Sequence, residues 1–151
     1  MKADYARIAR EIQATIAPYP AYKAQVAAVQ LLKARIPHYT WVGIYLLEGE
    51  ELVLGPFLGK PSPHTRIPLD RGICGAAATA KVTIVVDDVH ADPRYLACSL
   101  ETQSEIVAPI LRDGMVLGEI DIDSDSKAAF TADDRELVEA VAAMLSEKLP
   151  F

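Results

Sequence analysis

Apolar residues recur at three- and four-residue spacing in three stretches of the chain, and in shorter, strand-like runs between them. Tyr5, Ile8, Ile12 and Ile16 form the first stripe, so residues 4–17 are predicted to be a helix that ends at the Pro18-Tyr19-Pro20 run. A second helix is predicted from Tyr22 to Ile36, with Val26, Val29 and Leu32 inward, stopping before Pro37. The period then changes. Thr40 to Leu47 and Glu51 to Phe57 read as a hairpin turning at Glu48 to Glu50. Gly59 to Pro68 holds Pro61, Pro63 and Pro68 and is predicted to be a loop. An alanine-rich helix follows, Ile73 to Lys81, then a short strand, Val82 to Val86, then the irregular run "DDVHADPRY". Glu105 to Leu111 and Met115 to Asp123 make a second hairpin. Leu137, Val138, Val141, Met144, Leu145 and Leu149 stripe a closing helix, with Thr131 as its N-cap.

The register of the second hairpin is a matter of sorting faces. A two-residue loop at Asp113-Gly114 would set Ile106 against Asp121. A three-residue loop, Arg112 to Gly114, pairs Glu105 with Asp121, Ile106 with Ile120, Ala108 with Gly118 and Ile110 with Val116. The second arrangement separates apolar from charged residues and is preferred. Hairpins joined by one helical crossover predict an α+β fold: a central antiparallel sheet, N- and C-terminal helices packed on one face, and a ligand pocket on the other. The chain reads as one domain, with helices in 1–37, sheet and pocket in 40–130 and the closing helix in 131–149. The terminal stripes suit the pairing of two subunits into a homodimer as well as the covering of one sheet.

Composition narrows the partners. Just over half of the 151 residues are apolar, so a core forms readily. The net charge is −6, and no Lys/Arg cluster appears, which argues against nucleic acid and anionic membranes. The apolar runs are too short to cross a bilayer. Charges run throughout residues 1–17, unlike a signal peptide, and there are two cysteines; both point to a reducing, cytoplasmic setting with free or cycling thiols.

The residues able to do chemistry gather near the second hairpin. In the preferred register Glu105, Asp121 and Asp123 share one face, with Glu119 a step further in. Successive residues on such a face stand about 7 Å apart, so ionised carboxylates there repel and call for a proton, a ligand ammonium or a metal ion. The alternative is a solvated sheet edge. Cys98, just before that strand, is either a small buried hydrophobe or a reactive thiol. Cys74 lies in the first turn of the "GICGAAA" helix, where free N–H groups favour a thiolate or a bound anion. Gly72 and Gly75 there serve either ligand approach or tight packing. Trp41 and Tyr45 share a strand face, as core or as an aromatic wall for a methyl or thioether group. His64 and His90 share no short metal-ligand spacing with the cysteines, so no metal is expected. No phosphate loop or dinucleotide fingerprint is present, and no cofactor is expected.

Five segments, "WVGIYLLEGEELVLGPFLGK", "RIPLDRGICGAAA", "DDVHADPRYLACS", "SEIVAPI" and "GEIDIDS", resemble the free methionine-(R)-sulfoxide reductases, which are single GAF-domain enzymes. The resemblance spans about Thr40 to Phe130. It implies a GAF fold and reduction of free methionine sulfoxide, with Cys98 as the nucleophile that becomes a sulfenic acid. It also implies that Glu105, Asp121 and Asp123 bind the substrate ammonium, one of them protonated, and that Trp41 and Tyr45 receive the methyl end. Cys74 would form a disulfide with Cys98, and a thioredoxin-like reductant would restore both. The chain departs from the family in one respect. A third cysteine, usual just before "RIP", is absent from "GKPSPHTRIP", where His64 stands near its place. Resolution would then fall to Cys74 or an external thiol. The rival reading is a non-catalytic GAF module that binds an amino-acid-like ligand or senses thiol oxidation.

Overall fold

The computed structural model describes residues 1–97 and 99–150. In chain order the elements are α1 (Ala3–Ile16), α2 (Ala21–Arg35), β1 (Trp41–Glu48), β2 (Glu51–Leu58), β3 (Arg66–Pro68), α3 (Gly72–Ala80), β4 (Ile84–Val86), a 3₁₀ turn (Val89–Ala91), β5 (Ser104–Arg112), β6 (Met115–Ser124) and α4 (Ala132–Ser146). The strands form one sheet in the order β3-β2-β1-β6-β5-β4, with every neighbouring pair antiparallel.

Alternation along the strands gives the sheet two apolar faces. Val42, Ile44, Ile106, Ala108, Ile110, Ile120 and Ile122 face α1, α2 and α4 in the larger core. Trp41, Tyr45, Leu52 and Val107 face the other way, with Ile73, Cys74, Ala77 and Ala78 of α3. The terminal helices thus share one face, as expected, and α3 sits beside the candidate site. α2 packs on β1 and β2, α4 on β5 and β6, and α1 on α2 and α4. α2 meets its neighbours through Ala24, Ala27 and Ala28 together with Val29 and Leu32, while Val26 is only half-buried. Val29 and Leu32 are buried as expected, and small alanines rather than Val26 fill out the contact. No helix among the described residues is long and apolar enough to cross a membrane.

Three expectations are corrected. Part of the proline-rich loop is the edge strand β3, which pairs Arg66, Ile67 and Pro68 with Val53, Leu52 and Glu51. The strand expected from Val82 begins at Ile84, and Val82 is exposed. The second hairpin has neither register considered. It turns through two residues, Asp113 (φ 52°) and Gly114 (φ 76°), the positive-φ pair of a hairpin turn. A bulge at Leu117 then shifts the pairing, so Ile110 meets Gly118, Ile106 meets Ile122 and Glu105 meets Asp123. The offset from the preferred register is two residues, so the division of faces is retained.

Thr131 caps α4 as predicted. Its N–H donates to Asp134 Oδ2 at 2.8 Å. Asp134 Oδ1 meanwhile accepts from Tyr39 Oη at 2.8 Å, Tyr5 Oη at 3.0 Å and His38 Nε2 at 3.1 Å. Burial raises this carboxyl, but those donors outweigh it and hold it below the usual aspartate range. Its stabilisation is therefore complete above the unfolded pKa and lost as the pH falls below about 4. Asp134→Asn places an amide against the Thr131 N–H. It is expected to cost about 1 kcal/mol, read as a lower urea midpoint at pH 7.

Candidate active site

β6 delivers three acids to the α3 side of the sheet, and β1 sets a neighbour beside each one. Asp123 pairs with Trp41, Asp121 with Gly43 and Glu119 with Tyr45. β5 adds Glu105, opposite Asp123. All four acids are buried, and Glu119 is 0% exposed. Charged groups are placed in a core this way only when something meets their charge. Yet among the described residues Glu119 Oε1 and Oε2, Asp121 Oδ1 and Asp123 Oδ1 have no hydrogen-bond partner.

The aromatic pair shares that face. The Trp41 and Tyr45 ring centroids stand 6.5 Å apart, and Phe57 stacks on Trp41 at 5.7 Å. The Trp41 indole lies directly over Gly43, where a Cβ would come within 2.3 Å of it. Only glycine leaves that space. Trp41 Nε1 donates to the Lys60 carbonyl at 2.9 Å, and Tyr45 Oη to the His64 carbonyl at 2.9 Å. The proline-rich loop is thereby drawn over the sheet.

Cys74, in the first turn of α3, points at the acids. Its thiol donates to Asp121 Oδ2 at 3.5 Å. Burial, followed by the charges of Asp121, Glu119 and Glu105, pushes the thiol well above its ordinary value. The sequence led us to expect a thiolate, or an anion, at this helix start. The structure corrects this, because burial and then the neighbouring carboxylates outweigh the helix end. Gly75 belongs to the packing alternative: a Cβ there would meet the Leu69 carbonyl oxygen at 2.7 Å.

The acids shift together. Burial and the Asp121 charge raise Glu119 well above the carboxylate range, with Cys74 pulling the other way. Burial raises Asp121, against hydrogen bonding from Glu105 and Cys74. Burial, then the charges of Asp121 and Asp125, raise Asp123, against Glu105. The wall therefore holds its protons to a higher pH than free carboxyls do.

The sequence candidates divide between two spaces. A pocket of about 320 Å³ is bordered by Trp41, Lys60, Ser99, Thr102, Asp123 and Asp125. A cavity of about 20 Å³ lies among Tyr45, His64, Cys74, Leu96, Glu105 and Asp121. Cys98 lies outside the described residues. Its chain neighbours are tied to the loop opposite. His64 Nε2 donates to the Ala97 carbonyl at 3.0 Å, Ser99 Oγ bonds Glu101, and Glu101 pairs with Lys60 at 3.0 Å. His90 Nε2 is engaged with the Thr102 carbonyl. Sequence reasoning missed Phe57 behind Trp41, the Lys60–Glu101 tie and the depth of Glu119. The alternation in "GEIDID" placed Glu119 on the right face, which was the one signal available for it.

Residues 22–149 match the GAF domain family. The free methionine-R-sulfoxide reductase of Escherichia coli is 36% identical over 146 residues, 96% of this chain and 88% of that protein. GAF domain-containing protein A of Dictyostelium discoideum is 40% identical over 109 residues, 72% of this chain and 68% of that one. In solved structures, the free methionine-R-sulfoxide reductase of Neisseria meningitidis, in complex with its substrate, superposes with a TM-score of 0.91. It has 35% identity and coverage of 95% of this chain and 87% of that one. The acidic wall, the aromatic pair and α3 are thus features of a chain that belongs to the GAF family, in the group that includes the free methionine-R-sulfoxide reductases.

Proposed function

We propose that this protein reduces free L-methionine (R)-sulfoxide to methionine. The observation that carries the reading is the buried wall of Glu105, Asp121 and Asp123, in which Asp121 Oδ1 and Asp123 Oδ1 lack a hydrogen-bond partner among the described residues, beside a pocket of amino-acid size. A free amino acid brings the ammonium such a wall calls for. Trp41 and Tyr45 receive the methyl end, and Trp41 and Asp123 already border the pocket.

Cys98 attacks the sulfoxide sulfur in this scheme, and a protonated acid of the wall delivers its proton to the departing oxygen. The sulfoxide sulfur gains two electrons and leaves as methionine. Cys98 loses two and becomes a sulfenic acid. Cys74 then passes its proton to the acid that donated earlier and attacks the Cys98 sulfur as the thiolate; that proton leaves with the hydroxyl as water and a disulfide forms. An external dithiol of the thioredoxin class reduces it by exchange. The chemistry needs thiols and carboxyls only, and we assign no cofactor.

The test is thioredoxin-coupled NADPH oxidation on the separated sulfoxide epimers. We expect consumption with the (R) form and none with the (S) form. Absence of turnover together with tight binding of the sulfoxide would replace this reading with a GAF sensor, which the missing third cysteine favours.

A further inference from the structure

Cys74 Sγ, one oxygen of Glu105 and one of Asp121 lie within 4.8 Å of one another, and all three side chains are buried. They border the 20 Å³ cavity, beside and not within the larger pocket. A space of that size holds one water, one ion or a single small group of a ligand seated in the larger pocket. A tetrahedral Zn²⁺ with sulfur and oxygen donors at about 2.0–2.3 Å sets those donors about 3.5 Å apart, so closing on an ion needs side-chain shifts of about 1 Å. A second observation points to a cation. Asp121 Oδ1 and both oxygens of Glu119 are buried without a partner among the described residues. Glu119 acts electrostatically on Cys74, so its charge bears on the same cluster. A divalent ion neutralises these acids as they ionise, which a water molecule does not do.

We propose that Cys74, Glu105 and Asp121 form a binding site for a borderline divalent transition metal, with Zn²⁺ as the best-fitting ion. One thiolate and two carboxylates supply three ligands, and a water completes the fourth position. The donor set selects against Mg²⁺ and Ca²⁺, which take oxygen alone. Binding exchanges a proton for the metal: Cys74–SH releases H⁺ to solvent as the sulfur–metal bond forms, with no change of oxidation state. Affinity therefore rises with pH. The site does not depend on the sulfoxide reading. If that reading holds, the ion takes Cys74 and two of the three ammonium-binding acids out of use, and Zn²⁺ inhibits.

The experiment titrates reduced, metal-free protein with Co²⁺ and follows near-ultraviolet thiolate-to-cobalt absorption, so it reads the ion rather than turnover. We expect saturation at one Co²⁺ per chain and displacement by Zn²⁺. The band is lost in Cys74→Ser and kept in Cys98→Ser. Asp121→Asn keeps the thiol and weakens binding on the order of 10–100-fold; circular dichroism confirms that each variant is folded. A band that follows Cys98, affinity untouched by Asp121→Asn, or no saturable binding would each overturn the site.

Discussion

Cys98→Ser protein is expected to bind methionine (R)-sulfoxide and not reduce it, with turnover falling on the order of 10³-fold or more, to the uncatalysed baseline. A serine hydroxyl forms neither a sulfenic acid nor a disulfide, so both halves of the proposed cycle stop at once. The second cysteine cannot substitute. Cys74 is buried, and Asp121, Glu119 and Glu105 press its thiol toward the protonated form, whereas the attacking species is the thiolate. That asymmetry divides the two residues by role. Cys74→Ser should still release about one methionine per chain in a single-turnover experiment, because attack and sulfoxide reduction are complete before Cys74 is needed. Its steady state should then be limited by external thiol and should rise with glutathione concentration. Rapid quench with amino-acid analysis separates the two phases. Epimer-specific turnover that persists in Cys98→Ser would falsify the mechanism, and a Cys74→Ser protein indistinguishable from the parent would remove Cys74 from it.

Legibility from sequence followed the range of the interactions involved. Alternation in "EIVAPI" and "GEIDID" placed Glu105, Asp121 and Asp123 on one face, because side-chain period in a strand is a local property. Thr131 was recognisable as a cap for the same reason. The pairing of those strands was not local. A two-residue positive-φ turn at Asp113-Gly114 combined with a bulge at Leu117 to shift Glu105 onto Asp123, and the only local sign of that bulge is Gly118 beside it, which serves close backbone approach equally well. β3 was hidden by Pro68, which the end of an edge strand tolerates. Cys74 shows the limit most clearly. Its position in the first helical turn was readable, but its chemistry is set by burial and by Asp121, 47 residues away. The cavity it shares with Glu105 and Asp121 exists only once three elements meet.

Raising the pH from 5 to 8 is expected to destabilise the ligand-free protein, and Glu119→Met to remove much of that loss. Glu119, Asp121 and Asp123 all have folded-state pKa values raised above their unfolded ones. The folded protein therefore keeps protons that the unfolded chain has released. The stability so conferred is complete below the unfolded pKa and declines as the pH climbs toward the folded value, by up to about 1.4 kcal/mol per pH unit for each group. Asp134 works in the opposite sense, but its transition lies below this window. Methionine is close to glutamate in size and length, so Glu119→Met exchanges a fully buried carboxyl, without a hydrogen-bond partner among the described residues, for an apolar side chain with little change of volume. A gain of about 1–4 kcal/mol at pH 8 is expected, with Tm rising about 2–4 °C per kcal/mol. Urea denaturation of both proteins at the two pH values is the measurement. A parent protein more stable at pH 8 than at pH 5, or a variant no more stable than the parent at pH 8, would show that the wall is not under charge strain. The same physics predicts how a ligand acts. Methionine sulfoxide carries an ammonium and should restore stability at pH 8 in proportion to RT ln(1 + [L]/Kd). An analogue lacking the ammonium should not, because at pH 8 it brings no positive charge to Glu105, Asp121 and Asp123.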